Sequence, residues 1–211
     1  MLTTVLIFIG AVIISYFFGN ISFARIIASK QNRDITKMGS GNPGTMNMTR
    51  NFGWKIGLLT LILDIAKAVI PCLAARIIGS MYYPESFVRI LVFSCGFSVI
   101  LGHVFPLFFR FKGGKGIACA LGIFAVLHPW WFLIFLGAGL ILLLLFKIGS
   151  LTSLFMVTCL SVVAIIQRAS WIEIILICAI YVLLIYAHRE NLKRLSVGTE
   201  SKIDILKKKD E

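Results

Sequence analysis

The sequence is poor in charge. Asp, Glu, Lys and Arg make up 14% of its 211 residues, where a soluble domain carries about a quarter. This excludes a soluble globular domain built round a buried core. Acidic residues are scarcest, nine against 21 basic ones, for a formal net charge of +12. The five cysteines, Cys72, Cys95, Cys119, Cys159 and Cys178, lie in or beside apolar stretches. They form no CxxC pair and none stands at metal-ligand spacing from a histidine, so they read as small apolar packing residues and no metal site is expected. No Lys or Arg precedes Arg25. The first apolar run therefore lacks the basic n-region of a signal peptide and reads as a retained first span.

What the chain has is apolar length: 59% hydrophobic residues and a mean hydropathy of +0.95. A spanning helix needs about 20 predominantly apolar residues. The predicted spans are 4–24, 54–70, 88–108, 117–127, 130–146, 151–166 and 171–186. This gives an all-α polytopic membrane protein, one domain over residues 1–211 with a basic tail over about 188–211. The short gaps between the last four spans predict antiparallel neighbours. Trp54, Trp130, Trp131 and Trp171 stand at span ends, where amphipathic rings favour the interface. Basic residues flank the apolar runs, which points to anionic lipid headgroups or substrates and away from nucleic acid.

The segment 117–127 has only 11 residues, and charge decides whether it crosses. If it does, seven crossings put 17 Lys and Arg on one side and three (Arg76, Arg89 and Arg168) on the other, with Lys67 inside a span. If it does not, the count becomes 10 against 10. The positive-inside rule selects seven spans, one short, with the N-terminus outside and the C-terminus cytoplasmic. All three long polar stretches, 25–53, 109–116 and 187–211, then share the cytoplasmic face.

Those stretches carry the chemistry. In Gly39-Ser40-Gly41-Asn42-Pro43-Gly44-Thr45-Met46-Asn47-Met48-Thr49-Arg50, glycines and a proline give a tight backbone that can turn several N–H groups toward one anion. Ser40, Asn42, Thr45 and Asn47 add neutral donors, and Arg50 adds a planar fork for phosphate oxygens. The second motif is Gly102-His103-Val104-Phe105-Pro106 followed by Phe111-Lys112-Gly113-Gly114-Lys115-Gly116. It fails the Walker pattern, because Gly116 follows Lys115 and Phe109 stands where that pattern has glycine, so nucleotide binding is unsupported. Two lysines and three glycines opening a helix still make an anion site. His103 reads as a structural histidine. In the third motif, helical spacing puts His188, Asn191 and Arg194 on one face. Asp64 and Lys67 sit three apart inside a span, where charges pair or serve function.

Together the three motifs resemble the acyl-phosphate-dependent glycerol-3-phosphate acyltransferases, the PlsY family, whose patterns look like GSGNxGxTNxxR, GHxFPxFxxFKGGKGxA and HxxNIxRLxxGxE. Leu63–Lys67 and the stretch 15–24 extend the resemblance over nearly the whole chain. Asn20, Ser22, Met46, Ala68 and Leu192 depart from it, touching helix packing more than chemistry.

The resemblance implies transfer of a fatty acyl group from acyl phosphate to the 1-hydroxyl of sn-glycerol 3-phosphate, giving lysophosphatidic acid and phosphate. It also implies no cofactor, a bacterial plasma membrane with the site facing the cytoplasm, and contact with a soluble acyl-phosphate synthase. The residues suit this chemistry. Arg50, Lys112, Lys115 and Arg194 can balance two phosphates, and Gly113, Gly114 and Gly116 can bring backbone donors close. Either His188 or the acceptor's own phosphate, with a second pKa near 6, can take the hydroxyl proton; in the second case His188 and Asn191 orient the glycerol. No Asp follows any histidine at the His-x4-Asp spacing of other acyltransferases, since Phe108, Leu133 and Lys193 stand there. A transporter for an organic phosphate is the rival class, but no internal repeat or midplane site is visible.

Overall fold

The computed structural model describes residues 2–167 and 169–203. These residues are helical without strands, as hydrocarbon requires of a chain that must satisfy its own backbone polar groups. The helices are α1 Leu2–Asn20, α2 Phe23–Ser29, α3 Thr45–Phe52, α4 Trp54–Tyr82, α5 Glu85–Val104, α6 Ile117–Leu127, α7 Pro129–Phe146, α8 Gly149–Ile166, α9 Trp171–Ala187 and α10 Arg189–Ser196. Five helical stretches are long and apolar enough to cross a membrane, and the bent pair α9–α10 makes a sixth if taken as one span. The basic run at 207–209 and Arg168 lie outside the described residues.

The seven predicted apolar segments are all helices, with two changes of outline. The second extends twelve residues beyond its predicted end, through Pro71 to Tyr82. At 1.5 Å per residue its 29 residues reach roughly 44 Å, more than the ~30 Å hydrocarbon layer. The first is broken between Asn20 and Phe23. There Lys67 Nζ donates to the carbonyls of Gly19 at 3.3 Å and Ile21 at 2.6 Å, so a cation from α4 satisfies carbonyls that the break leaves open. Lys67 also pairs with Asp64 at 2.9 Å and meets His103 Nδ1 at 2.8 Å. Both members of the ion pair are 2% exposed.

The short helix α6 lies inside the bundle. Eight of its eleven residues are buried, and it packs against α4, α5, α7 and α8. Enclosure by longer helices removes the length mismatch an 11-residue helix would have with lipid. Helices α1 and α5 approach closely at Gly19 and Gly102, where a Cβ on either would strike the other helix's backbone. The outward faces of α1 and α7 are apolar and exposed, as lipid contact requires. At the end of the bundle away from the motif loops, Arg89 pairs with Glu173 at 2.5 Å, inside a capping box formed by Ser170 and Glu173.

Candidate active site

The three motifs converge. Lys115 Nζ donates to Asn191 Oδ1, Arg50 donates to the Ser201 carbonyl at 2.8 Å, and Arg25 donates to the Lys112 carbonyl at 2.8 Å. Lys115, Asn191, Arg50 and Ser201 border a cavity of about 860 Å³. Its polar wall carries Ser40, Asn42, Thr45, Arg50, Lys115, His188, Asn191 and Arg194, with backbone at Gly39, Gly44 and Gly116. Its apolar wall comes from α4 (Leu58, Leu61, Ile62), α7 (Leu133, Leu136, Leu140, Leu143) and Met156 of α8.

The first loop is held by Asn47. Its Oδ1 accepts from Ser40 N at 3.1 Å and from Asn51 at 3.0 Å, while its Nδ2 donates to the carbonyls of Met38 at 2.9 Å and Ile35 at 3.3 Å. The predicted substrate donor thus spends its amide on shaping the loop. Arg50 sits in the last turn of α3, and its Nε is buried without a partner. Burial lowers its pKa, partly offset by Glu200, and a guanidinium remains charged regardless.

In the second loop, Gly113 N and Gly114 N donate to the carbonyls of Val104 and His103 at 3.1 and 3.0 Å. A Cβ on Gly114 would overlap the His103 ring, so His103, tied to Lys67, forms the floor on which this loop rests. Lys115 then projects into the cavity and Lys112 does not. Lys112 lines a second cavity of about 350 Å³ together with Gly41 and Gly113. Burial, outweighing Glu200's attraction, lowers the Lys115 pKa to about 8, with Arg194 and Arg50 adding to the shift. Lys115 is still mainly an ammonium at neutral pH.

Helix α9 ends at Ala187, and α10 leaves at a bend of 61°. His188 stands at that bend, beyond the spanning helix. Its Nδ1 lies 2.8 Å from the Leu184 carbonyl. A carbonyl only accepts, so Nδ1 carries the proton and Nε2 keeps its lone pair. Burial pulls the His188 pKa down to about 4 despite that bond, so the imidazole is neutral at pH 7.

Glu200 organises this corner. It accepts from Asn191 Nδ2 at 2.6 Å, Arg194 Nε at 2.7 Å and Ser150 Oγ at 2.9 Å. Burial alone would raise its pKa, but these bonds and the Arg194 charge bring it below the usual value. Within the segment predicted as a basic tail, residues 200–203 fold back along the cavity: Glu200 and Ser201 line it, and Ile203 N donates to the Lys147 carbonyl at 2.7 Å. Sequence reasoning gave no role to Glu200 or Ser150. The signals were present: one of two carboxylates in a basic motif, and a Gly-Ser pair opening a span.

The family model described as glycerol-3-phosphate acyltransferase matches residues 9–198. Similar curated proteins include the glycerol-3-phosphate acyltransferase of Geotalea daltonii, 36% identical over 95% of this chain and 98% of its own. The glycerol-3-phosphate acyltransferase 2 of Bacillus anthracis is 38% identical over 90% and 96%. Among solved structures, PlsY, an integral membrane glycerol 3-phosphate acyltransferase, matches in its glycerol 3-phosphate form with a TM-score of 0.84 at 33% identity, covering 94% of this chain and 96% of that one. Its lysophosphatidic acid form matches with a TM-score of 0.82. The chain, with its converging polar motifs beside an apolar wall, belongs to the glycerol-3-phosphate acyltransferase family of the PlsY type.

Proposed function

We propose that the acyl donor is an acyl phosphate and the acceptor hydroxyl is the 1-hydroxyl of sn-glycerol 3-phosphate, with lysophosphatidic acid and inorganic phosphate as products. One observation carries this reading. A single cavity joins three cations, Arg50, Lys115 and Arg194, to a long apolar wall on α4, α7 and α8. Two phosphates need the first and a fatty acyl chain needs the second.

The acceptor oxygen attacks the anhydride carbonyl, the carbon–oxygen bond to phosphate breaks, and phosphate leaves with the electron pair. A mixed anhydride is already activated, so no enzyme nucleophile is required. Arg50 and Arg194 grip phosphate as planar forks. Lys115, held by Asn191, faces the charge that develops on the carbonyl oxygen and leaving phosphate. The hydroxyl proton goes to phosphate. With its pKa near 4, His188 is a weaker base than a phosphate monoester whose second pKa is near 6. His188 Nε2 therefore accepts the hydroxyl hydrogen bond and orients the glycerol, as does Asn191. Asn47 shapes the loop carrying Ser40, Asn42, Gly44 and Thr45, which line the acceptor phosphate. Gly113 and Gly114 set the position of Lys115, and Lys112 acts from outside the reaction cavity. Asp64, Lys67 and His103 support the loop from below. The residues provide for a reaction without metal or cofactor.

The whole chain is one bacterial plasma-membrane domain of seven crossings, with the N-terminus outside and the site facing the cytoplasm. The Lys and Arg asymmetry supports this. A soluble acyl-phosphate synthase supplies the donor from that side. The test is purified protein with palmitoyl phosphate and radiolabelled glycerol 3-phosphate, expected to give lysophosphatidic acid. Product from acyl-CoA but not from acyl phosphate would overturn the donor assignment. A green fluorescent protein fused at the C-terminus should fluoresce; a dark, periplasmic fusion would overturn the orientation.

A further inference from the structure

In the proposed reaction neither substrate enters the 350 Å³ cavity. It backs onto the reaction cavity, and the two share their walls. Along the first loop, Ser40, Asn42 and Gly44 line the reaction cavity while the intervening Gly41 and Pro43 line the second. In the other loop, Lys115 and Gly116 line the first, and Lys112 and Gly113 the second.

Three cations meet there: Arg25, Arg110 and Lys112. Arg25 is fixed, with one amino group on the Lys112 carbonyl at 2.8 Å and its guanidinium 4.6 Å from the centre of the Phe109 ring. Its Nε is buried without a partner, a costly state that an acceptor in the cavity would relieve. Asp34 is within electrostatic reach of Arg25, but its carboxylate accepts from Thr36 N at 3.0 Å and Thr36 Oγ1 at 2.7 Å. The chain beside the cavity is apolar and outward-facing. Phe108 and Phe111 are exposed, and Phe108 packs on Phe17 of α1 at 6.0 Å between ring centres. Cations beside exposed aromatic rings at the polar end of a membrane bundle suit a lipid headgroup.

We propose that this cavity is a second phosphate site, separate from the reaction cavity, and that it takes the phosphate of an anionic lipid headgroup. Free phosphate shares the chemistry but makes no use of the aromatic rim. Occupancy bridges the two loops whose other faces hold the substrates.

The test uses delipidated full-length protein in detergent with saturating glycerol 3-phosphate, which blocks the reaction cavity. Phosphatidylglycerol or, separately, inorganic phosphate is added, and retention is read by native mass spectrometry. Wild type is expected to retain one phosphatidylglycerol. Arg25→Gln and Arg110→Asn should each weaken retention at least tenfold, with glycerol 3-phosphate binding unchanged. Arg110 is exposed and αL (φ 53°), so its Asn variant keeps the test valid if Arg25→Gln misfolds. Inorganic phosphate bound in place of the lipid, and lost in both variants, would support the phosphate site and overturn its assignment to lipid. No retention by wild type, or equal retention by wild type and Arg110→Asn, overturns the site.

Discussion

Lys115 and Asn191, 76 residues apart, are joined by a direct hydrogen bond from ammonium to amide oxygen. The bond closes the GGKG loop onto α10, and Glu200 holds the same asparagine from its other side at 2.6 Å. This cation on the wall of the 860 Å³ cavity is therefore positioned by the third motif.

Lys115 and Lys112 should behave differently. Lys115→Met is expected to lower kcat about 10²- to 10³-fold, the usual effect of removing one transition-state charge contact. Lys112→Met should cost less than tenfold, because that side chain lines the other cavity. Equal losses in steady-state kinetics would remove the distinction.

Alkaline pH should act through Lys115. The ammonium is the active form, and its protonated fraction falls as pH rises through about 8. The ratio kcat/KM reports the free enzyme, so it should decline above pH 8 in wild type. In Lys115→Met the residual rate should be flat from pH 7 to 9.

His188→Gln keeps a hydrogen-bond acceptor and is expected to retain kcat within about tenfold, whereas His188→Ala loses the orienting contact altogether. The acidic limb of kcat/KM, set by the substrate phosphate near 6, should persist in the Gln variant. Its disappearance would make His188 the base.

Glu200→Ala strips one acceptor from Asn191, Arg194 and Ser150 together. Leaving buried donors unpaired costs about 1–3 kcal/mol, which corresponds to a rise of about five- to 150-fold in KM for glycerol 3-phosphate. Glu200→Gln should recover part of that loss.

Lys67→Met should destabilise the whole bundle. It leaves Asp64 buried without its cation and uncaps the break between α1 and α2. Removing one member of a buried pair costs about 3–5 kcal/mol, visible as a lower melting temperature in detergent. Unchanged melting would mean that the pair contributes nothing to folding.

Hydropathy located all seven apolar helices, because in lipid the same property both drives insertion and forces helix formation. The motifs were equally legible, since phosphate chemistry demands glycine, Arg and Lys at short spacing. Less was legible for α4, whose passage through Pro71 to Tyr82 needs neighbours to cover the proline. The roles of Asn47, Lys112 and Lys115 were not separable by type, because which side of a loop a residue faces depends on what the loop packs against. Composition and spacing determined that this chain is a membrane protein with three polar motifs. Only the tertiary structure decided that Glu200 and Asn191 hold Lys115 in place, because hydrogen bonds between distant segments form only where packing brings their atoms together.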